Sequence, residues 1–231
     1  MNSENSTWFF LDSGAASAAF NMALDEALLE AMPRLRRPVL RFYGWTEPAA
    51  SFGYFQKYAE VEPLTSLRPL VRRPTGGGLV PHDADWTYSL SLPAGHEWWE
   101  LRARESYRRM HAWIQAALAG LGTVTALAAA GHKAVPGQCF SGYEMSDVLW
   151  RGAKIAGAAQ RRTRLGLLIQ GSVQPGELRV TRQAWQKAML ERARKRHSVE
   201  WLDLPPDSEL RNRAGMLAVQ KYLLESHNRR R

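Results

Sequence analysis

The chain of 231 residues, 45% of them hydrophobic, is long enough for one large domain with a buried core, and its composition excludes disordered, collagen-like and disulfide-scaffold proteins. The single cysteine, Cys139, cannot form an internal disulfide and so favours a reducing compartment. No apolar run reaches the roughly 18 residues of a membrane span, and the N-terminal residues have no secretory pattern. We therefore expect a cytoplasmic protein with no membrane partner.

The positive charge is concentrated near the end of the sequence. The chain has 31 Lys and Arg against 22 Asp and Glu, a net charge of +9. Residues 181–231 hold 12 basic and 6 acidic side chains, and therefore +6 of this charge. Such basicity indicates an acidic partner, of which nucleic acid is the first candidate on charge alone.

Hydrophobic periodicity predicts an alternation of helices and strands along the chain. A first helix is expected over 20–32, ended by Pro33, a long amphipathic helix over 97–121, and further helices over 181–196 and after Pro206, where Asp207 or Ser208 serves as the cap. Alternating apolar segments bounded by Gly and Pro predict strands at 39–43, 51–54, 86–92, 147–150, 155–160 and 167–173.

This order of elements predicts an α+β fold with a mixed β-sheet flanked by helices. We divide the chain into a domain over residues 1–180 and a basic helical C-terminal extension over 181–231 that packs on it.

A glycine triplet, preceded by two arginines, is the most informative segment. Gly76, Gly77 and Gly78 pack no side chain, which indicates that the loop has an unusual conformation or approaches a ligand closely. Arg72 and Arg73 would supply positive charge to such a ligand. The alternative is a flexible hairpin loop. The spacing matches neither a Walker phosphate loop nor a dinucleotide fingerprint.

Three other side chains are candidates for chemistry. His82 follows the triplet and suits acid–base work, although no second cluster has the spacing of a zinc site. Lys154 lies between small residues at the start of an apolar strand, where it either meets an anion or reaches solvent at the sheet edge. Cys139 is either a nucleophile with a lowered pKa or a small core residue.

Four segments in order resemble motifs of the lipoate–protein ligase and octanoyltransferase family, whose catalytic domain is related to that of biotin protein ligases. They are 21–28 (NMALDEAL), 41–45 with 51–56 (RFYGW, SFGYFQ), 72–83 (RRPTGGGLVPHD) and 154–162 (KIAGAAQRR). The similarity covers about residues 8–175. It implies a mixed sheet flanked by helices, as in biotin protein ligases and class II synthetases, and identifies residues 1–180 as the catalytic domain.

The resemblance also implies a function and a site. Members of the family attach octanoyl or lipoyl groups to one lysine of a lipoyl domain, in 2-oxoacid dehydrogenases or the glycine cleavage H protein. Lys154 matches the lysine that contacts the activated acyl group. The remaining substrate-binding residues implied by the resemblance are Arg72, Arg73, Gly76, Gly77, Gly78, His82, Gly157 and Ala158.

The family uses two chemistries, and the residues between the motifs bear on the choice. Octanoyltransferases take octanoate from acyl carrier protein through a cysteine thioester and need no cofactor; Cys139 matches the nucleophile of one such branch. Ligases use ATP and Mg²⁺ to form an acyl-adenylate, and Asp147 would then lie near the metal. Ser146 and Gln170 depart from the family, since many relatives have Asn and His there. We favour the octanoyltransferase, with the ATP-dependent ligase as the alternative.

Other classes fit the sequence less well. Biotin protein ligases favour a Gly-Arg-Gly-Arg type of loop in place of the triplet. A nucleic-acid-binding module would need an aromatic and basic binding motif, and none is recognisable. A non-catalytic relative is the remaining alternative. We therefore expect lipoyl domains and acyl carrier protein as partners and no nucleic acid.

Overall fold

The computed structural model describes residues 7–132, 137, 140–205 and 207–230. In the described residues eleven strands form two sheets. Their bounds are β1 (Thr7–Ala16), β2 (Val39–Trp45), β3 (Ala49–Phe52), β4 (Leu70–Arg72), β5 (Val80–His82), β6 (Trp86–Pro93), β7 (Ala126–Leu127), β8 (Val148–Trp150), β9 (Ala153–Thr163), β10 (Gly166–Val173) and β11 (Glu200–Asp203).

The larger sheet has eight strands in the order β11-β1-β2-β6-β10-β9-β8-β7. Strand β1 runs parallel to both of its neighbours, and the other adjacent pairs are antiparallel. The smaller sheet has the order β4-β3-β5, in which β3 is parallel to β4 and antiparallel to β5. The mixed sheet that the sequence predicts is confirmed.

Helices cover both faces of the larger sheet. The bounds within the described residues are α1 (Ala18–Leu35), α2 (Tyr58–Val61), α3 (Glu97–Glu100), α4 (Ala103–Ala119), α5 (Arg182–His197), α6 (Ser208–Leu217) and α7 (Glu225–Asn228), with a 3₁₀ turn at Glu62–Leu64 and a π-helix at Ala218–Tyr222. Asp207 caps α6, because its side chain accepts a hydrogen bond from the Leu210 N–H.

Two helix boundaries differ from the sequence prediction. Helix α1 continues through Pro33, because a proline in the last turn removes one hydrogen bond without ending the helix; Arg36, in the left-handed conformation, ends it. The segment expected as one helix over 97–121 is divided into α3 and α4. Leu101 and Arg102 have extended backbone angles and break the hydrogen-bond ladder.

Each face of the larger sheet has its own hydrophobic core. Strand β10 shows how the sequence separates them: Leu167, Ile169 and Val173 enter the core under α4 and α5, whereas Leu168 enters the core around α1 and α6. On that second face, Gln170 takes the same orientation as Leu168 because side chains alternate along a strand. The smaller sheet lies over this second face and leaves room for a cavity.

The C-terminal region is joined to the larger sheet. Strand β11 pairs with β1, and α5 buries Trp185 and Met189 in the core. No helix in the described ranges combines the length and apolarity needed to cross a membrane.

Candidate active site

A cavity of about 430 Å³, counted with its open mouth, lies between the two sheets. Its floor follows the strand register, which aligns Gly157 of β9, Ser172 of β10, Thr87 of β6 and Tyr43 of β2 in one row. All four residues line the cavity. Gly157 and Ser172 are the small residues of this row and leave space above β9 and β10.

The glycine triplet is a wall of this cavity and is held by Arg73. The Arg73 guanidinium donates hydrogen bonds to the carbonyl oxygens of Gly76 (2.9 Å) and Gly78 (2.7 Å). Gly77 has a φ of +87°, which favours glycine. A Cβ on Gly53 would lie 1.9 Å from the Gly77 carbonyl oxygen, so the two loops touch through backbone alone. The loop is therefore fixed at both ends, unlike a free hairpin.

Arg72 performs a different task from its neighbour. It is fully buried, and its guanidinium donates to backbone carbonyl oxygens on both sides of it. These belong to Tyr54, Gln56, His227, Asn228 and Arg230. The structure therefore places Arg72 as a clamp between the C-terminal segment and the loop after β3, and not in the cavity lining where the sequence placed it.

A buried ion pair joins Lys154 to Asp147 at the β9 end of the cavity. The Lys154 Nζ lies 2.8 Å from Asp147 Oδ2, and the two side chains are 3% and 0% exposed. A Cβ on Gly157 would lie 2.6 Å from Lys154 Cε, so only glycine leaves room for the lysine to fold back toward the carboxylate. Phe140, which lines the cavity, has its ring centre 5.0 Å from the same ammonium. The ammonium thus lies beside two residues that line the cavity, Gly157 and Phe140.

Two residues of helix α4 support this ion pair, and sequence reasoning missed both. Tyr107 donates its hydroxyl hydrogen to Asp147 Oδ1, while the Glu144 backbone N–H donates to Oδ2. His111 donates from Nδ1 to the Ser146 carbonyl oxygen, and its Nε2 has no hydrogen-bond partner among the described residues. Burial lowers the pKa of His111 to about 4, so the imidazole is neutral at pH 7.

Another part of the cavity wall, beside Thr87 and Ser172, contains a hydrogen-bonded chain around His82. Ser51 Oγ lies 2.6 Å from His82 Nε2, and His82 Nδ1 lies 2.9 Å from Asp85 Oδ2. Thr87 and Ser172 also donate to Asp85. In the tautomer in which Nδ1 donates to Asp85, Nε2 accepts the Ser51 hydroxyl hydrogen.

Beneath the cavity, Asp25 collects hydrogen bonds from several strands. Arg41 Nη1 lies 2.7 Å from Asp25 Oδ1, and Tyr43, Ser89 and Gln170 also donate to this carboxylate. Burial, and then the Asp25 charge, raise the pKa of Tyr43 well above its usual value, so the phenol remains a donor. The Thr75 hydroxyl donates to Gln170 Oε1 and so ties the glycine loop to this network.

Of the site residues predicted from sequence, Arg73, Gly77, His82, Gly157 and Ala158 line the cavity. Lys154 and Asp147 form the buried ion pair beside Gly157. The carbonyl oxygens of Gly76 and Gly78 accept the hydrogen bonds from Arg73 that fix the loop. Cys139, the predicted nucleophile, lies outside the described residues.

The conditional expectation that Asp147 lies near a metal stays a prediction, and the structure shows the bonds that this carboxylate makes within the chain. Both of its oxygens accept hydrogen bonds from groups of this chain. Within the ranges that the structure describes, no three His, Cys, Asp or Glu side chains are grouped to hold a metal ion.

Comparison with known proteins finds a matching family model and relatives with similar sequences. A family model described as the lipoyl protein ligase A/B catalytic domain matches residues 17–177. A curated relative, octanoyltransferase LipM of Anoxybacillus flavithermus, is 36% identical over 183 residues, which cover 74% of this chain. The match spans 66% of that relative, just under two thirds of its length.

Solved structures share the fold at lower identity. A bipartite lipoate protein ligase from Thermoplasma acidophilum is 18% identical, with a TM-score of 0.75 over 97% of this chain and 96% of that one. A lipoate-protein ligase A bound with ATP is 19% identical, with a TM-score of 0.78 over 98% of both chains. At these identities the likeness establishes the fold alone, and it agrees with the predicted mixed sheet flanked by helices.

Proposed function

This chain belongs to the lipoyl protein ligase A/B catalytic domain family, and on that premise we propose that it transfers an octanoyl group from a thioester donor to one lysine of a lipoyl domain. The buried Lys154–Asp147 pair, next to the cavity-lining residues Gly157 and Phe140, is the observation that carries the proposal. The name of the LipM relative supports the choice of octanoyl transfer.

The cavity suits an unbranched acyl chain. Its polar wall groups are satisfied by other protein groups: Tyr43 and Gln170 bond to Asp25, and Thr87 and Ser172 bond to Asp85. Because these donors are already bonded, an alkyl chain in the cavity leaves no buried donor unpaired there.

In the first step, the Cys139 thiolate attacks the thioester carbonyl carbon of octanoyl–acyl carrier protein. A new C–S bond forms, and the carrier's thiol leaves as a thiolate that takes up a proton. This exchange of one thioester for another is close to thermoneutral, so a cysteine suits it.

In the second step, the neutral amine of the acceptor lysine attacks the acyl-enzyme. An amide forms, the Cys139 thiolate leaves, and the proton lost by the amine restores the thiol. In both steps negative charge develops on the carbonyl oxygen, and the Lys154 ammonium is the group of this chain that stabilises it.

The proposed route uses no cofactor. ATP is bound in a solved lipoate-protein ligase A that is 19% identical to this chain. Asp147, the residue that would serve the metal of an adenylating ligase, is instead engaged by Tyr107 and Lys154. This engagement favours the thioester route over adenylation.

The proposed partners are lipoyl domains and acyl carrier protein. The net charge of +9 suits acidic partners, for which electrostatic attraction mainly raises the association rate. The basic region over 181–231 therefore contributes to encounter, and its effect should weaken as salt rises.

The test is intact-protein mass spectrometry after incubation with octanoyl–acyl carrier protein. We expect one octanoyl adduct on the wild type and none on the Cys139→Ser variant. Adding a lipoyl domain should then discharge the adduct and modify one lysine without ATP.

Two results would contradict the proposal. An adduct that survives Cys139→Ser removes the assigned nucleophile. Modification that requires ATP and free lipoate, with release of diphosphate, identifies the adenylating route instead.

A further inference from the structure

The register of the strands gives an approximate length for the cavity floor. The comparison of this length with an acyl chain rests on the proposed acyl transfer. Gly157 and Thr87 belong to the same row and are separated by two inter-strand steps, or about 10 Å at the usual strand spacing. Tyr43 lies one step farther, in the same row. The cavity therefore runs across the strands, away from Lys154.

An octanoyl chain matches the first part of this length. Carbon–carbon bonds of about 1.5 Å at tetrahedral angles advance an extended chain by about 1.25 Å each, so its seven bonds span about 9 Å. A carbonyl held beside Lys154 and Gly157 thus places the terminal methyl group near Thr87. A decanoyl chain, longer by about 2.5 Å, would meet the far wall.

His82 lines the cavity at this wall, because Asp85, which binds its Nδ1, also accepts the hydroxyl hydrogen of Thr87. Its ring lies parallel to the Trp45 indole, with ring centres 3.9 Å apart and planes inclined by 19°. Ser51 and Asp85 bind the two ring nitrogens, so the imidazole cannot rotate away without breaking two hydrogen bonds. Trp45 is itself fixed by donating Nε1–H to Thr87, 2.8 Å away.

Behind this wall lies a second cavity, of about 610 Å³ with its open side. His82 lines both cavities, while Trp45, Asp85, Arg182 and Gly44 line only the second. The imidazole is therefore a partition between the two cavities.

We propose that His82, held by Ser51, Asp85 and Trp45, sets the acyl chain length that the enzyme accepts. The order Ser51–His82–Asp85 has the connectivity of a nucleophile, base and orienting acid. Here, however, Ser51 is fully buried, and Arg73 also donates to its oxygen at 2.9 Å. The network holds a ring in position as a wall beside Thr87 and Ser172, whose hydroxyl groups donate to the same Asp85 oxygen that binds His82.

The test offers equal amounts of octanoyl–, decanoyl– and dodecanoyl–acyl carrier protein to the enzyme with a lipoyl domain, and mass spectrometry measures the product ratio. His82→Ala opens the partition, and we expect the decanoyl-to-octanoyl ratio to rise about tenfold, the scale of discrimination per methylene group in a fitted pocket. His82→Phe keeps a flat ring at the wall and should retain the octanoyl preference.

The Phe variant separates the size of the ring from its hydrogen bonds, because phenylalanine fills the space but bonds to neither Ser51 nor Asp85. If the product ratio of folded His82→Phe shifts as far as that of His82→Ala, the bulk of the ring does not set the chain length and the proposal is wrong. His96→Ala is the matched control, since His96 also packs against a tryptophan, Trp8, but lies outside the cavity; its product ratio should equal that of the wild type.

A second readout keeps the inference separate from the proposed transfer. Calorimetric titration with octanoate and decanoate measures chain preference without turnover, and Trp45→Ala gives the same comparison if His82→Ala fails to fold. A preference that stays within twofold of the wild type in the opened variants overturns the length inference. Shifted binding preference in an enzyme that transfers no acyl group refutes only the proposed function.

Discussion

Two buried carboxylates, Asp25 and Asp147, are both fully inaccessible to solvent and both paired with a cation, yet their surroundings differ. Asp25 faces Arg41, whose guanidinium also binds Asn21 and Ser13. Asp147 faces Lys154, a single ammonium next to the cavity.

The difference shows how a buried carboxylate–cation pair can contribute to stability at one site and to chemistry at another. A guanidinium has a rigid fork of donors, and at Asp25 it joins helix α1 to strands β1 and β2. An ammonium is a compact charge on a flexible stem, which suits a group that meets a changing substrate. Substitutions at the two carboxylate sites should therefore affect different measurements.

The largest expected effect is on stability, at Asp25. Asp25→Ala leaves the buried Arg41 charge unpaired and should lower the free energy of unfolding by about 3–5 kcal/mol, measured by urea denaturation. The exposed Asp12→Asn is the control and should change it by less than about 0.5 kcal/mol. Equal values for the two variants would show that the Asp25 network contributes nothing specific to the fold.

Lys154→Met should act chiefly on activity. Loss of the ammonium removes stabilisation of the carbonyl oxygen, and kcat/KM should fall about 10²–10³-fold. The free energy of unfolding should fall less than in Asp25→Ala, because Asp147 keeps hydrogen bonds from Tyr107 and Glu144. Near-normal turnover by a folded Lys154→Met enzyme would refute the assigned role.

Acidification should lower the free energy of unfolding through His111, which lies beside Asp147. Its pKa is lowered to about 4 in the folded protein, below about 6.5 in the unfolded chain, so the unfolded state binds the proton more readily. The stability is therefore intact above pH 6.5 and falls between 6.5 and 4, by about 2 kcal/mol from pH 7 to pH 5 for this residue.

The check is urea denaturation of the wild type and His111→Phe at pH 7 and pH 5. The variant should lose less stability on acidification than the wild type, by about 2 kcal/mol. The stability of the variant should still depend on pH, because burial also lowers the pKa values of His96 and His227 to about 4. Parallel losses in wild type and variant would exclude His111 as the cause.

The smallest effect is expected from adding a methyl group beside the lysine. Gly157→Ala places a Cβ 2.6 Å from Lys154 Cε and must displace the ammonium, with a loss in kcat/KM of about tenfold. Gly215→Ala is the matched control, because a Cβ there meets no atom within 4 Å. An unchanged rate in Gly157→Ala would mean that the lysine acts from another position.

Much of this architecture follows from local patterns in the sequence. The period of the apolar residues predicts α1, α4 and the central strands, and the motifs bring Lys154 and the glycine loop to attention. Strands β1 and β11 escape prediction because their pairing joins residues almost 200 positions apart, as in Thr7 with Glu200. Long-range pairing leaves little signature in a short window.

Part of the site also could not be predicted from local sequence patterns. Tyr107 and His111 occupy an ordinary amphipathic helix, and only the fold brings them to Asp147, 40 and 36 positions later in the chain. Arg72 and Arg73 look equivalent as a pair, but neighbours on a strand point to opposite sides. One therefore binds the C-terminal segment, and the other holds the glycine loop.

The row of residues beneath the cavity also determines where the chain can change length. Along β10, inserting or deleting one residue would exchange Gln170 and Ser172 for the apolar side chains that now fill the opposite core, because orientation alternates at every position. Loops that merely connect strands absorb such changes. We therefore expect homologous sequences to vary in length between the sheet strands and to stay free of gaps within β6, β9 and β10.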